Sequence, residues 1–183
     1  MPEICFTHDD EANQLLGENP MALLVGLTLY QQVPVEKAFS SPLELQRRLG
    51  DPLSAKAIAN TDPERLEELF REKPALHRFP ANMAKRTAAV ADHIVDHYGG
   101  DPTVIWGGAT DSKDLLDRIQ ALPGFGEYKA TVTFTILVKR YGFRPEGWEG
   151  RIADFPTVAD IESSDDIDAF KARKKDWKEA STG

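Results

Sequence analysis

Only one stretch of this chain, Thr131-Val-Thr-Phe-Thr-Ile-Leu-Val138, carries a strong strand signal. Val132, Phe134, Ile136 and Val138 alternate along it, and β-branched residues abound. A strand needs a ladder partner, and no second candidate of that strength is present. The same residues also read as a helix, with Val132, Ile136 and Lys139 at helical spacing. Consistency along the chain favours the helix, and with it an all-α fold.

The other elements are marked by caps and breakers. Asp9 and Asp10 open a short helix reaching Leu16. Asn19-Pro20 pairs an N-cap with a proline at the first helical position, predicting a helix to about Gln32 that Pro34 ends. Leu23, Leu24, Val25, Leu27 and Leu29 make it apolar nearly all round, as a central helix is. Ser41-Pro42 and Asp62-Pro63 repeat the device; the first helix stops at Gly50, and the second puts Leu66, Leu69 and Phe70 on one face. Asn82 to Tyr98 reads as a long helix closed by Gly99-Gly100, and Ser112 to Ala121 as an amphipathic one. An acidic run from Glu162 to Asp168 precedes a basic, exposed helix over Phe170 to Lys178. No linker is long or polar enough to divide the chain, so residues 1–183 read as one domain.

Composition narrows the function classes. The longest apolar run, Met21 to Leu27, is far short of the roughly 18–20 residues that span a bilayer. Met1-Pro2-Glu3 leads into no basic-then-apolar segment, so no signal peptide is expected and the cytoplasm is the default compartment. A single cysteine, Cys5, cannot build a disulfide framework or hold an iron–sulfur cluster. The net charge of −8 counts against a nucleic-acid binder, but the charge is uneven. Arg71, Lys73, His77, Arg78, Lys85 and Arg86 form one basic stretch, and Lys129, Lys139, Arg140 and Arg144 another.

The sharpest local signal is Leu122-Pro123-Gly124-Phe125-Gly126. Pro123 stops one helix, and the two glycines let backbone approach a partner. The next helix points its free N–H groups and positive dipole end at the same spot, where a phosphate is the natural ligand. A tight helix–helix turn that binds nothing carries the same residues.

The flanks extend the pattern. Leu122-Pro-Gly-Phe-Gly-Glu-Tyr-Lys-Ala130 resembles the helix-hairpin-helix of the base-excision DNA glycosylases related to endonuclease III. Leu27-Thr-Leu-Tyr-Gln-Gln-Val-Pro-Val-Glu-Lys-Ala38 resembles that family's N-terminal helix and glutamine-bearing loop. Asp62 to Leu69 and Asn82 to Gly100 resemble two of its later helices, the second closed by Gly-Gly. Order and spacing agree from about Pro20 to Phe143, about two-thirds of the chain, and little agrees beyond.

The resemblance implies a two-lobed helical fold with its cleft between the lobes. Double-stranded DNA is the implied partner of a monomer. Leu122, Gly124, Phe125 and Gly126 would grip a backbone phosphate, with a monovalent cation possible on the hairpin carbonyls. Gln32 would fill the gap left by an extruded base; a residue merely closing a turn before Pro34 is the alternative. Family members with lyase activity place a lysine two residues after the second hairpin glycine, where this chain has Tyr128. Lys129 follows one place later, rotated by about 100° on a helix, and reads as phosphate-facing or solvated. The essential aspartate of the family carries over, without gaps, to Glu146; Glu149 and Asp154 compete for the role. The cysteine-rich cluster loop is missing, so no iron–sulfur cofactor is expected. His93 and His97 have a spacing that can hold a metal, though a solvated helix face explains them as well. Trp148 could stack on a base or serve the core. The expected activity is hydrolysis of a damaged or mismatched base from DNA without strand cleavage. A non-catalytic DNA-binding relative and a protein–protein module on the same fold are the alternatives.

Overall fold

The computed structural model describes residues 2–183, and every regular element among them is helical. The order is α1 (Asp10–Glu18), α2 (Pro20–Leu29), α3 (Val35–Leu49), α4 (Ala55–Ala59), α5 (Pro63–Arg71), α6 (Pro80–Tyr98), α7 (Thr103–Gly107), α8 (Ser112–Gln120), α9 (Glu127–Lys139) and α10 (Ile167–Ser181). Three 3₁₀ turns, Trp148–Gly150, Val158–Asp160 and Ser164–Asp166, lie between α9 and α10. No helix among the described residues is long and apolar enough to cross a membrane.

The caps work as their residue types demand. Asn19 Oδ1 accepts the N–H groups of Met21 and Ala22, and Asp62 Oδ1 those of Glu64 and Arg65. All residues from Met21 to Leu29 are buried, so α2 is the central helix. It packs on α1, α3 and α6, while α6 also carries α4 and α5. A second group pairs α8 with α9, and the 3₁₀ turn at Val158–Asp160 sits on α9. One continuous apolar core joins both groups, running from Ile4 to Phe170.

The stretch from Thr131 to Val138 is helical, inside α9. Every residue from Val132 to Val138 is buried, so no polar face imposes a visible helical period. Thr133 and Thr135 donate their hydroxyls to the carbonyls of Lys129 and Thr131, one turn back, which seats these β-branched residues in a helix.

Several boundaries differ from the sequence expectation: α6 starts at Pro80, and α10 runs from Ile167 to Ser181 with Phe170 buried. α2 ends at Leu29, three residues before Gln32. α3 starts at Val35 and runs through Pro42, so Ser41 is not an N-cap. Packing of Ala38, Phe39, Leu43 and Leu45 on both sides of the proline outweighs its cost of about 3 kcal/mol in a helix interior. The Ser41 hydroxyl instead binds the carbonyls of Lys37 and Leu76, tying α3 to the segment before α6.

Candidate functional site

Between the end of α2, the start of α9 and the outer half of α10 lies a pocket of about 580 Å³. That is the size range of small-ligand sites. Its walls are the loop Tyr30–Pro34, the residues Gly126, Tyr128, Lys129 and Val132, and from α10 Lys174, Trp177 and Lys178. Three lysines therefore line it, and no carboxylate does.

The loop from Tyr30 to Pro34 is held from behind. Arg86 of α6 donates Nη1–H to Gln31 Oε1 at 2.8 Å. His77, buried, faces the Gln31 carbonyl through Nε2 at 2.9 Å, and its Nδ1 accepts the Phe79 N–H at 3.0 Å. The second bond fixes the neutral tautomer with the proton on Nε2. With Gln31 clamped, Gln32 adopts φ +58°, the only positive φ outside glycine among the described residues. The left-handed conformation costs a side chain with Cβ about 1–2 kcal/mol. Gln32 is exposed on the pocket's edge.

The turn between α8 and α9 reaches the pocket at Gly126. Gly124 takes φ +80°, which favours glycine, while Gly126 is extended at φ −71°, open to any residue. A Cβ at either position would meet nothing within 4 Å, so both backbones are open to an approaching ligand. Gly126 is the N-cap of α9 and supplies no side-chain bond to the helix's first N–H groups. Leu122 and Phe125 are spent differently: both side chains are buried, and the Phe125 N–H donates to the Leu122 carbonyl at 3.0 Å. They brace the turn rather than face a ligand.

Lys129, read from the sequence as phosphate-facing or solvated, lines the pocket and is half-buried. Its ammonium donates to the Thr28 carbonyl at 3.3 Å and lies 5.4 Å from the Phe125 ring centre. Burial first, and then the positive charge of Arg86, push its pKa down to about 8. Lys174 is held similarly. It donates to the Tyr30 hydroxyl at 2.8 Å, sits 4.4 Å over the Tyr30 ring, and is pushed down to about 8 by burial and by Lys178. An ion pair between Lys171 and Glu36 anchors the same helix to the start of α3.

Tyr128 and Trp177 complete the wall, bridged by the Phe155 ring. Tyr128 and Phe155 stack at 5.3 Å and 15°, and Phe155 and Trp177 at 5.0 Å and 25°. Tyr128 remains 46% exposed despite the contact, so part of its ring is available to a further partner. Tyr30, Lys174, Trp177 and Phe155 escape the sequence reading because their meeting depends on contacts across much of the chain. A signal existed in the last helix, where Lys174, Trp177 and Lys178 follow a three- and four-residue spacing.

The structure does not bring Glu146 to the pocket. Its main-chain oxygen accepts the Ser112 N–H at 3.0 Å, at the start of α8, and its side chain is exposed. The hairpin turn lies at the other end of α8, about 13 Å away at 1.5 Å per residue. Glu149 lies in the 3₁₀ turn that follows, also exposed. Asp154 is exposed as well and does not line the pocket, but its neighbours lie along α9: the Ala153 N–H donates to Thr135 Oγ1 at 2.9 Å, and Phe155 stacks on Tyr128. Trp148 packs beneath Arg144, whose guanidinium lies 5.3 Å from its ring, and is not in the pocket wall. His93 and His97 stack on each other at 4.1 Å, and no third metal-ligating side chain joins them among the described residues. Lys139 and Arg140 are engaged by Asp160 and Glu162.

Fold and site thus define an all-helical protein with a lysine- and aromatic-lined pocket beside a helix–turn–helix hairpin. No family model, curated protein or solved structure matches the chain.

Proposed function

We propose that the chain is a base-excision protein of the helix-hairpin-helix DNA glycosylase type. It binds duplex DNA across the turn at Gly124–Gly126, takes one extruded nucleotide into the pocket, and hydrolyses its glycosidic bond. The observation that carries this reading is that the strained Gln32 and the open backbone of Gly126 line one pocket. A polar side chain held in an unfavourable conformation at a pocket mouth suits insertion into the duplex. The uncapped N–H groups at the start of α9 suit a phosphate. Local cations, Lys129, Lys174, Lys178 and Arg86, offset the acidic total at this face. Cleavage builds positive charge on the sugar, and a carboxylate must stabilise it. Of Glu146, Glu149 and Asp154, Asp154 is the one whose neighbour, Phe155, stacks on a pocket-lining residue, Tyr128, so we assign the role to it rather than to Glu146. A screen of lesion-bearing duplexes with alkaline work-up tests the reading. Excision of at least one base is expected; DNA binding without excision from a broad panel would leave a non-catalytic DNA-binding relative.

Lys129 supports a second reading. A pocket-lining amine with pKa about 8 is partly neutral near neutral pH and can attack the sugar C1′, breaking the glycosidic bond so that the base leaves with a proton; cleavage of C1′–O4′ then opens the sugar ring, O4′ takes a proton, and the nitrogen becomes the Schiff base. A borohydride-trapped DNA adduct that disappears in Lys129→Ala would establish this lyase step, and its absence leaves hydrolysis alone.

A further inference from the structure

The wall contributed by α10 gives the pocket a chemical polarity. Lys129 spends one N–H on Thr28 and Lys174 one on Tyr30, so two remain on each ammonium. The Tyr30 oxygen accepts from Lys174, which leaves its own hydrogen to donate. Gln31 Oε1 is taken by Arg86, which leaves the Gln32 amide oxygen as the glutamine acceptor at the edge. Charged donors therefore far outnumber free side-chain acceptors, and no Asp or Glu lines the space to balance them. On the same wall, Tyr128 and Trp177 present aromatic rings joined through Phe155. Rings of this kind accept any flat heterocycle; the ammonium groups decide which one stays.

We infer that Lys174, working against the Tyr128–Phe155–Trp177 stack, makes the pocket select an extruded base that presents carbonyl oxygens or negative charge and reject one that carries positive charge. Oxidised and deaminated bases belong to the first class, and ring-alkylated cationic bases to the second. This inference rests on the DNA reading above. Its physical basis is twofold. A carbonyl oxygen accepts from an ammonium that is otherwise incompletely bonded, a charge-assisted bond stronger than a neutral one. A cationic ring placed among lysines meets like charge with no carboxylate in the lining beside it, in a space partly closed to water.

The test uses two bases of nearly one shape. Duplexes are prepared that differ in a single nucleotide, N3-methyluracil or N3-methylcytosine, opposite the same partner and with a 2′-fluorine on the sugar to block excision. Neither base pairs normally, so both are equally easy to extrude; the first is neutral with two carbonyls and the second is cationic. Kd values are measured by fluorescence anisotropy. The N3-methyluracil duplex should bind at least about tenfold tighter, equivalent to about 1.4 kcal/mol. Lys174→Met should bring the two affinities to within about twofold of each other, and Lys174→Arg should keep the ratio. Tyr128→Leu, at an exposed position, should weaken both by about fivefold or more, and the cationic base at least as much as the neutral one, because an aromatic face attracts a cation, so the ratio should not fall. Equal affinities in the wild type, tighter binding of the cationic base, a ratio unchanged in Lys174→Met, or a Tyr128→Leu variant that binds both as before would each overturn the inference while leaving DNA binding in place. If no duplex binds at all, lesion-bearing or intact, the DNA reading falls and takes this inference with it.

Discussion

His77 Nε2 stands 2.9 Å from the main-chain oxygen of Gln31, across 46 residues of sequence, and this bond together with the one from Phe79 N–H to Nδ1 makes a single ring the support of the glutamine loop. Replacing it by Phe keeps the bulk and strands both backbone groups. His77→Phe should lose about 1–3 kcal/mol of stability. Burial, the first cause, together with Arg78 and Lys37, holds the ring below the usual imidazole value against the pull of the Gln31 and Leu29 carbonyls. The unfolded chain therefore takes up the proton first as the solution is acidified. His77 contributes stability that is present above its unfolded value of 6.5 and is lost as pH falls through the lower folded value. His93, also lowered by burial, acts in the same direction, so urea midpoints should be compared at pH 7.5 and below 6 for wild type and His77→Phe. A pH dependence identical in both would deny His77 the role.

Gly124 and Gly126 should respond differently to one substitution. Gly124→Val forces a β-branched residue to φ +80° and should cost about 1–3 kcal/mol before any ligand is present. Gly126→Val meets no atom within 4 Å at an ordinary φ, so its melting temperature should stay near that of wild type. Its branched side chain would nevertheless stand over the N–H groups at the start of α9. Loss of duplex binding by at least tenfold (about 1.4 kcal/mol) in a fully folded Gly126→Val is the expected result, read by anisotropy beside thermal unfolding. Unchanged affinity would remove the hairpin from the interface.

Lys129 and Lys174, both held down to about 8, should make DNA affinity fall as pH rises past that value. The loss is bounded at about tenfold per pH unit for each lysine that must be charged. Stability should move the opposite way. The unfolded lysines keep their protons to about 10.5, so between 8 and 10.5 the unfolded state binds more protons and raising the pH favours the fold. Affinity and chemical-denaturation series over pH 7 to 9.5 check both; parallel trends would contradict the buried-amine picture.

The carboxylates separate by isosteric change. Asp154→Asn should abolish excision, a loss of about 100-fold or more for a misplaced or missing charge, and leave DNA binding intact. Glu146→Gln should excise at the wild-type rate, since Glu146 lies at the end of α8 away from the hairpin turn, where only its main-chain oxygen is engaged. The reverse result would restore the gap-free alignment that points to Glu146.

What the sequence disclosed is mostly local. Asn19 and Asp62 each have their acceptor and their proline side by side, so those helix starts are legible. So are the hairpin glycines and the all-round apolar α2. Pro42 misleads because its local cost is outweighed by the burial of Phe39 and Leu45, which adjacent residues do not reveal. The strand-like alternation of α9 fails for a related reason: a helix buried on all sides has no face to mark its period. Gln32 and Lys129 were singled out from the sequence, but the turn of the backbone at one and the burial of the other depend on Gln31, His77, Arg86 and Thr28. The stack of Tyr128, Phe155 and Trp177 joins three segments that share no motif, and no periodicity could have joined them.

The conformation of Gln32 makes comfort and use diverge at one position. A turn that needed only to reverse the chain would be content with glycine or asparagine, which tolerate φ +58° at little cost. Gln32→Gly relieves the strain, so screening for thermal resistance alone would have reason to retain it, and with it would go the amide poised at the pocket mouth. The better-folded molecule is there the emptier one, and any effort to harden this protein should leave residue 32 as it stands.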